Sequence, residues 1–186
     1  GVKHSPNVRF QLSSLTNSPV VLSEPIAKNT APAIILACKY ILDAKKEDPI
    51  ILTVPSDHMI KDISSFIKTV KEGEQLAEQG YVVTFGIKPT YPETGYGYVN
   101  ISDIKLGDGY KVKRFVEKPN LELAKEYIAD GNYFWNSGIF MFKASVLLKE
   151  SEKCAPEIFG LLENFDFTNS SEIPFMEFNK MPNISI

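Results

Sequence analysis

Residues 50–85 read IILTVPSDHMIKDISSFIKTVKEGEQLAEQGYVVTF, and the fold class follows from them. Ile50 to Val54 is a continuous apolar run, the pattern of a strand buried on both faces. Ile63, Phe66, Ile67 and Val70 then recur at i, i+3, i+4 and i+7, which predicts a helix over 62–79 with Asp62 placed to cap it. Tyr81 to Phe85 is a second buried strand. Upstream, Val20-Val21-Leu22 reads as a strand and 30–46 as a helix, with Thr30 as N-cap and Pro32 tolerated in the first turn. Strand, helix, strand, helix, strand implies an α/β fold with right-handed crossovers and a mainly parallel sheet.

Moving outward, the second half is richer in strands. Tyr96 to Ile101 and Tyr110 to Glu117 read as strands, 121–130 as a helix ended by Gly131, and Ile139 to Phe142 as a strand. Helices are expected over about 144–164, and Met176 to Ile186 as helix followed by loop. Residues 1–18 carry little signal. The chain reads as a single domain over 1–186.

Bulk properties narrow the function classes. The chain has 186 residues, 44% hydrophobic and 23% charged, with a net charge of -3. That is an ordinary globular composition with no electrostatic reason to bind nucleic acid or a membrane. No apolar run approaches the roughly 20 residues of a membrane span. The two cysteines, Cys38 and Cys154, have neither metal-ligand nor disulfide spacing. Cys38 lies in an apolar run and reads as a buried thiol, which suits a reducing, cytoplasmic setting.

Ligands of open α/β sheets bind beyond the carboxyl ends of strands. Segments of the right chemistry follow or end the strand-like runs: Ser23-Glu24-Pro25 through Asn29-Thr30-Ala31, Pro55-Ser56-Asp57-His58, Glu93-Thr94-Gly95-Tyr96-Gly97-Tyr98 and Glu117-Lys118-Pro119. Trp135-Asn136-Ser137-Gly138 precedes one. Asp57 at such a rim suits Mg²⁺, bound through one or two carboxylates plus substrate phosphates, but the tetrapeptide by itself fits a helix cap or turn better. Gly95 and Gly97 allow close approach of backbone to a ligand, or a hairpin. Glu117 and Lys118 point to opposite faces unless the strand bends before Pro119, and they are equally an exposed ion pair. His58 reads as a supporting residue.

In order, the segments EPIAKNTAPA, VPSDH, FGIKPTYPETGYGY, RFVEKP and FWNSGIFMF resemble the sugar-phosphate nucleotidyltransferase family, and within it the mannose-1-phosphate guanylyltransferase branch. The resemblance covers about residues 20–186. It implies a Rossmann-like nucleotidyltransferase fold, a mainly parallel mixed sheet flanked by helices. It also implies synthesis of GDP-mannose and pyrophosphate from mannose 1-phosphate and GTP, with Mg²⁺.

By position, it makes Glu24 the reader of the base, with Asn29, Thr30 and Ala31 in the turn beside it. Asp57 becomes the metal-binding aspartate. Gly97, Glu117 and Asn136 become contacts of the sugar, and Lys118 the partner of its phosphate. GTP and mannose 1-phosphate are then the partners, without nucleic acid or membrane, and a homodimer is left open.

There are two departures from the family pattern. Residues 1–19 hold no glycine-rich triphosphate loop, and a second metal-binding aspartate is expected just beyond Ile184-Ser185-Ile186. The domain is accordingly expected to be partial, and these 186 residues alone are expected not to catalyse guanylyl transfer. A non-catalytic sugar-nucleotide binder, or an enzyme for another sugar 1-phosphate, are the alternatives.

Overall fold

A computed structural model describes residues 1–14 and 19–186. It divides into two compact units, 50–143 and the combination of 1–49 with 144–186.

The first of these contains the sheet. Its elements are β1 (Ile50–Thr53), α3 (Ile63–Glu78), β2 (Val83–Ile87), β3 (Tyr98–Leu106), β4 (Gly109–Val116), α4 (Leu121–Asp130) and β5 (Tyr133–Lys143). The centre is β5, the longest strand at 11 residues and the most buried. Trp135 pairs with Ile87 on one side and Tyr98 on the other, and Met141 pairs with Val83 on one side and Leu52 on the other. So β2 follows one side of β5, while β3 and then β1 share the opposite side, and β4 forms a hairpin on β3.

Every ladder among the described residues is antiparallel, which corrects the expectation of a mainly parallel sheet. The strands joined by α3, β1 and β2, do point the same way. They are not neighbours, because β5, arriving about fifty residues later, lies between them and runs against both. An apolar run signals a buried strand and carries no information about which strand will lie beside it.

Local signals account for the helices. The Asp62 carboxylate accepts from Ser65 N at 3.0 Å and from Ser65 Oγ at 2.7 Å, capping α3. Asn120 Oδ1 caps α4 by accepting from Leu123 N at 2.9 Å, and Gly131 ends it in the left-handed conformation, φ 81°. Helix α4 lays Ala124 and Tyr127 on Tyr98, Tyr133 and Trp135, with the Tyr127 and Tyr133 rings stacked at 3.9 Å.

The strands differ from the sequence reading in boundary and in burial. The second buried strand runs 83–87 rather than 81–85, and Tyr81 and Val82 are exposed. β1 is half-buried rather than buried on both faces, and β2 is half-buried over Val83 to Phe85 with Gly86 and Ile87 exposed. Trp135 to Gly138 lies inside β5 rather than before it. Val20 to Leu22 is in no strand.

The other unit contains α1 (Ser5–Leu12), α2 (Thr30–Lys45), α5 (Ala144–Cys154), α6 (Pro156–Phe159) and α7 (Phe175–Asn179), with short 3₁₀ turns at Val2–His4 and Leu162–Asn164. Helix α2 packs on α5, and α5 on α6. Asp48 accepts from both Ser145 N and Ser145 Oγ at the start of α5. Cys38 is fully buried, and burial, helped by the Asp48 charge, pushes its thiol up to about 12. Cys38 is thus an inert core thiol, as its apolar run implies. Among the described residues no helix is long and apolar enough to cross a membrane.

Candidate active site

Both sides of β5 are interrupted at the same place. On the side of β3 and β1, pairing stops at Trp135 and resumes at Phe140. On the other side β2 pairs Gly86 with Asn136 and Thr84 with Phe140, so Ser137, Gly138 and Ile139 stand against Phe85 alone. This is a bulge, and Gly138 takes φ 70° within it. The bulge satisfies its own backbone. Asn136 Oδ1 accepts from Gly138 N and Ser137 Oγ accepts from Ile139 N, both at 3.1 Å, while Ser137 Oγ donates to the Phe85 carbonyl. The result is a notch in the sheet, with the C-terminal end of β1 and the N-terminal end of β3 facing each other across 137–139.

Four of the sequence-derived candidates meet at this notch. Gly97 O accepts from Asn136 N at 2.8 Å. A Cβ built on Gly97 would lie 3.0 Å from Glu117 Oε2 and 3.7 Å from Asn136 Cβ, so glycine is what lets the Glu117 carboxylate approach this backbone. Lys118 adopts φ 41°, a left-handed conformation that disfavours a lysine. β4 has ended at Val116, and this turn is the bend that allows two adjacent side chains to share a face. The Lys118 ammonium lies 3.5 Å from Glu117 Oε1, and both side chains are largely exposed. Their exposed ion pair is worth little to the fold.

Asp57 follows β1 by four residues. Pro55 Cγ lies 3.5 Å from the place a Gly138 Cβ would take, so the chain leaving β1 passes the notch. The Asp57 carboxylate is exposed and makes no hydrogen bond or ion pair among the described residues. Nor is any group of three or more His, Cys, Asp or Glu there arranged to hold a metal by itself. One open carboxylate is nonetheless the donor set that Mg²⁺ takes when substrate phosphates and water supply the rest of its shell. His58 is exposed beside it.

Glu24, Asn29, Thr30 and Ala31 belong to the helical unit. Glu24 borders a cavity of about 400 Å³ lined by Gly1 to His4 and by Pro25 to Ala27. Its Oε1 is buried without a hydrogen-bond partner, and burial raises the carboxyl above its ordinary 4.5. A buried acceptor left open costs free energy that a donor-bearing ligand would recover.

Asn29, at φ 67°, caps α2 by accepting from Thr30 N at 2.9 Å, so the N-cap is Asn29 rather than Thr30. Asparagine tolerates that conformation better than a β-branched residue. Thr30 Oγ1 accepts from Ile186 N and Ala31 N donates to Ile184 O, both at 3.1 Å. Residues 184–186 therefore lie on the turn read as flanking the base, a contact that no local sequence signal announces. Glu93 opens the candidate segment 93–98, but the sequence assigns it no role of its own, and in the structure its carboxylate accepts from Gly95 N. Its signal is a carboxylate two residues before a glycine, a spacing that allows it to accept from that glycine's N–H.

A family model described as Nucleotidyl transferase matches residues 2–171. The chain belongs to that family, and its α/β sheet flanked by helices is the fold expected of it. It is 40% identical over 171 residues to a mannose-1-phosphate guanylyltransferase of Salmonella typhimurium, a match covering 91% of this chain and 35% of the relative. The chain thus spans about a third of that relative's length.

Similar solved structures include two crystal structures. One, from Thermus thermophilus and described as a mannose-1-phosphate geranyltransferase, has a TM-score of 0.82 at 29% identity, covering 95% of this chain and 51% of that one. The other, described as a mannose-6-phosphate isomerase from Helicobacter pylori, has a TM-score of 0.83 at 31% identity, covering 100% and 73%.

Proposed function

We propose that the protein to which this chain belongs is a mannose-1-phosphate guanylyltransferase acting in GDP-mannose synthesis in the cytoplasm. The observation that carries the reading is the notch. There, a carboxylate and an ammonium, adjacent in sequence, are turned onto one face beside Gly97 and Asn136. A carboxylate accepts from sugar hydroxyls and an ammonium pairs with a phosphate, so a sugar phosphate matches the pair. The similarity to a guanylyltransferase supplies the sugar and the nucleotide.

In this reading the phosphate oxygen of mannose 1-phosphate forms a bond to the α-phosphorus of GTP. The bond from that phosphorus to the oxygen bridging to the β-phosphate breaks, and pyrophosphate leaves with the electron pair. Glu117 and Asn136 orient the sugar, and Lys118 holds its phosphate and offsets its charge during attack. The Glu24 carboxylate accepts from guanine N1–H and the 2-amino group together, which favours guanine over other bases. Asn29, Thr30 and Ala31 form the turn beside the base. Asp57 would hold Mg²⁺, which neutralises charge on the phosphates when bound. Positioning and charge account for the chemistry, and no covalent intermediate on the protein is required.

The test is GDP-mannose formation by the full-length protein from GTP and mannose 1-phosphate, compared with its Asp57→Asn variant. The variant is expected to fold normally and to lose at least two orders of magnitude in kcat, as loss of a principal electrostatic contact does. Near-normal turnover of Asp57→Asn in Mg²⁺ would remove the metal assignment.

A further inference from the structure

The loop from Tyr91 to Gly97 is tied down more thoroughly than its exposure explains. Tyr98 is fully buried, and its hydroxyl donates to the Glu93 carbonyl at 2.7 Å. The Glu93 carboxylate turns back and accepts from Gly95 N at 2.7 Å. A Cβ on Gly95 would lie 3.0 Å from Glu93 Oε1, so this glycine serves the carboxylate of its own loop rather than a ligand. The Tyr91 and Tyr96 rings each meet the Trp135 indole edge-on, at 4.9 and 5.5 Å. At the far end, Gly97 O accepts from Asn136 N.

Thr94, Gly95 and Tyr96 are exposed, and of the three only Tyr96 touches the core, at the edge of Trp135. Holding an exposed loop still costs conformational entropy. The return for that cost lies in what the loop presents, the Gly97 backbone facing Glu117 Oε2. A wall fixed before the ligand arrives spares that ordering cost on binding.

We infer that Glu93 and Tyr98 are positioning residues for the sugar-phosphate substrate, acting through the Gly97 backbone and not on the nucleotide. The inference rests on the proposed reading of the notch as the sugar-phosphate subsite. Neither residue touches substrate in this account. Glu93 sets the loop by bonding Gly95, and Tyr98 sets it by bonding the Glu93 carbonyl.

The experiment uses the full-length enzyme and steady-state kinetics with each substrate varied in turn, after a panel of sugar 1-phosphates has identified the one the wild type uses. Tyr98→Phe keeps the buried ring and removes only the hydroxyl. Glu93→Ala removes the acceptor, and Glu93→Gln keeps an oxygen that accepts from Gly95 N. Tyr98→Phe and Glu93→Ala are expected to raise KM for the sugar phosphate roughly tenfold, the effect of one lost hydrogen bond. KM for GTP and kcat should stay unchanged, and Glu93→Gln should restore the wild-type KM.

The inference is overturned if both KM values rise together, if neither rises, or if Glu93→Gln behaves as Glu93→Ala. It is also overturned if Tyr98→Phe lowers the melting temperature while leaving the sugar-phosphate KM alone, because the contacts then only brace the fold. A wild type that prefers another sugar 1-phosphate removes the choice of mannose and leaves the inference to be decided on that substrate. A wild type that turns over no sugar 1-phosphate removes both.

Discussion

Glu24 combines an open buried oxygen with a carboxyl that burial holds above 4.5. Only the ionised form offers acceptors to both guanine donors, and protonation puts a donor against one of them. GTP affinity should therefore fall as pH is lowered through the raised value, so the loss begins at a higher pH than for an ordinary glutamate. Calorimetric titration of the full-length protein with GTP across that range should show the decline in wild type and its absence in Glu24→Gln, which has no proton to gain. Identical pH profiles in the two proteins would count against Glu24 as the base reader. At this scale the sequence was informative about residue type and silent about environment. The type and place of Glu117 and Lys118 could be read directly. That they share a face depends on φ at Lys118, which no propensity assigns to lysine. Asn29 and Thr30 are both good caps, and only the backbone conformation of the first decides between them.

Helices were legible because their signals are local. Periodicity, Asp62 at the head of α3, and Gly131 behind α4 located those two within about a residue. The same locality makes them testable. Asn120→Ala leaves Leu123 N without its cap and should destabilise the protein by about 1 kcal/mol, read as a lower urea midpoint at unchanged slope. The effect should reach the sheet, since α4 holds Ala124 and Tyr127 against Tyr98 and Trp135. An unchanged midpoint would show that the cap contributes nothing. Strands were legible as apolar runs but not as partners. β5 was read as four residues, 139–142, because its polar stretch Asn136-Ser137 looked like the end of a loop. Those side chains bond their own backbone, which is how polar residues persist inside a buried strand.

On the scale of the whole molecule, the antiparallel centre of the sheet was illegible because it depends on contacts between residues far apart in sequence, which local pattern does not encode. The family resemblance supplied the α/β architecture that periodicity supports, and three of its five segments, FGIKPTYPETGYGY, RFVEKP and FWNSGIFMF, hold the four residues gathered at the notch. The notch also has a consequence for how the molecule breathes. Amides in the β5 ladder must wait for strands to part before they exchange with solvent, whereas those of Gly138 and Ile139 are guarded by single side-chain oxygens, released by one rotation about a side-chain bond. Hydrogen–deuterium exchange should find Gly138 and Ile139 labelling faster than 140–143 of the same strand. Saturating sugar 1-phosphate should slow Gly138 selectively, because a ligand that engages Asn136 stills the oxygen that guards this amide. Uniform labelling along β5, unchanged by the sugar phosphate, would mean that the bulge is as rigid as the ladder around it and that Asn136 is not engaged.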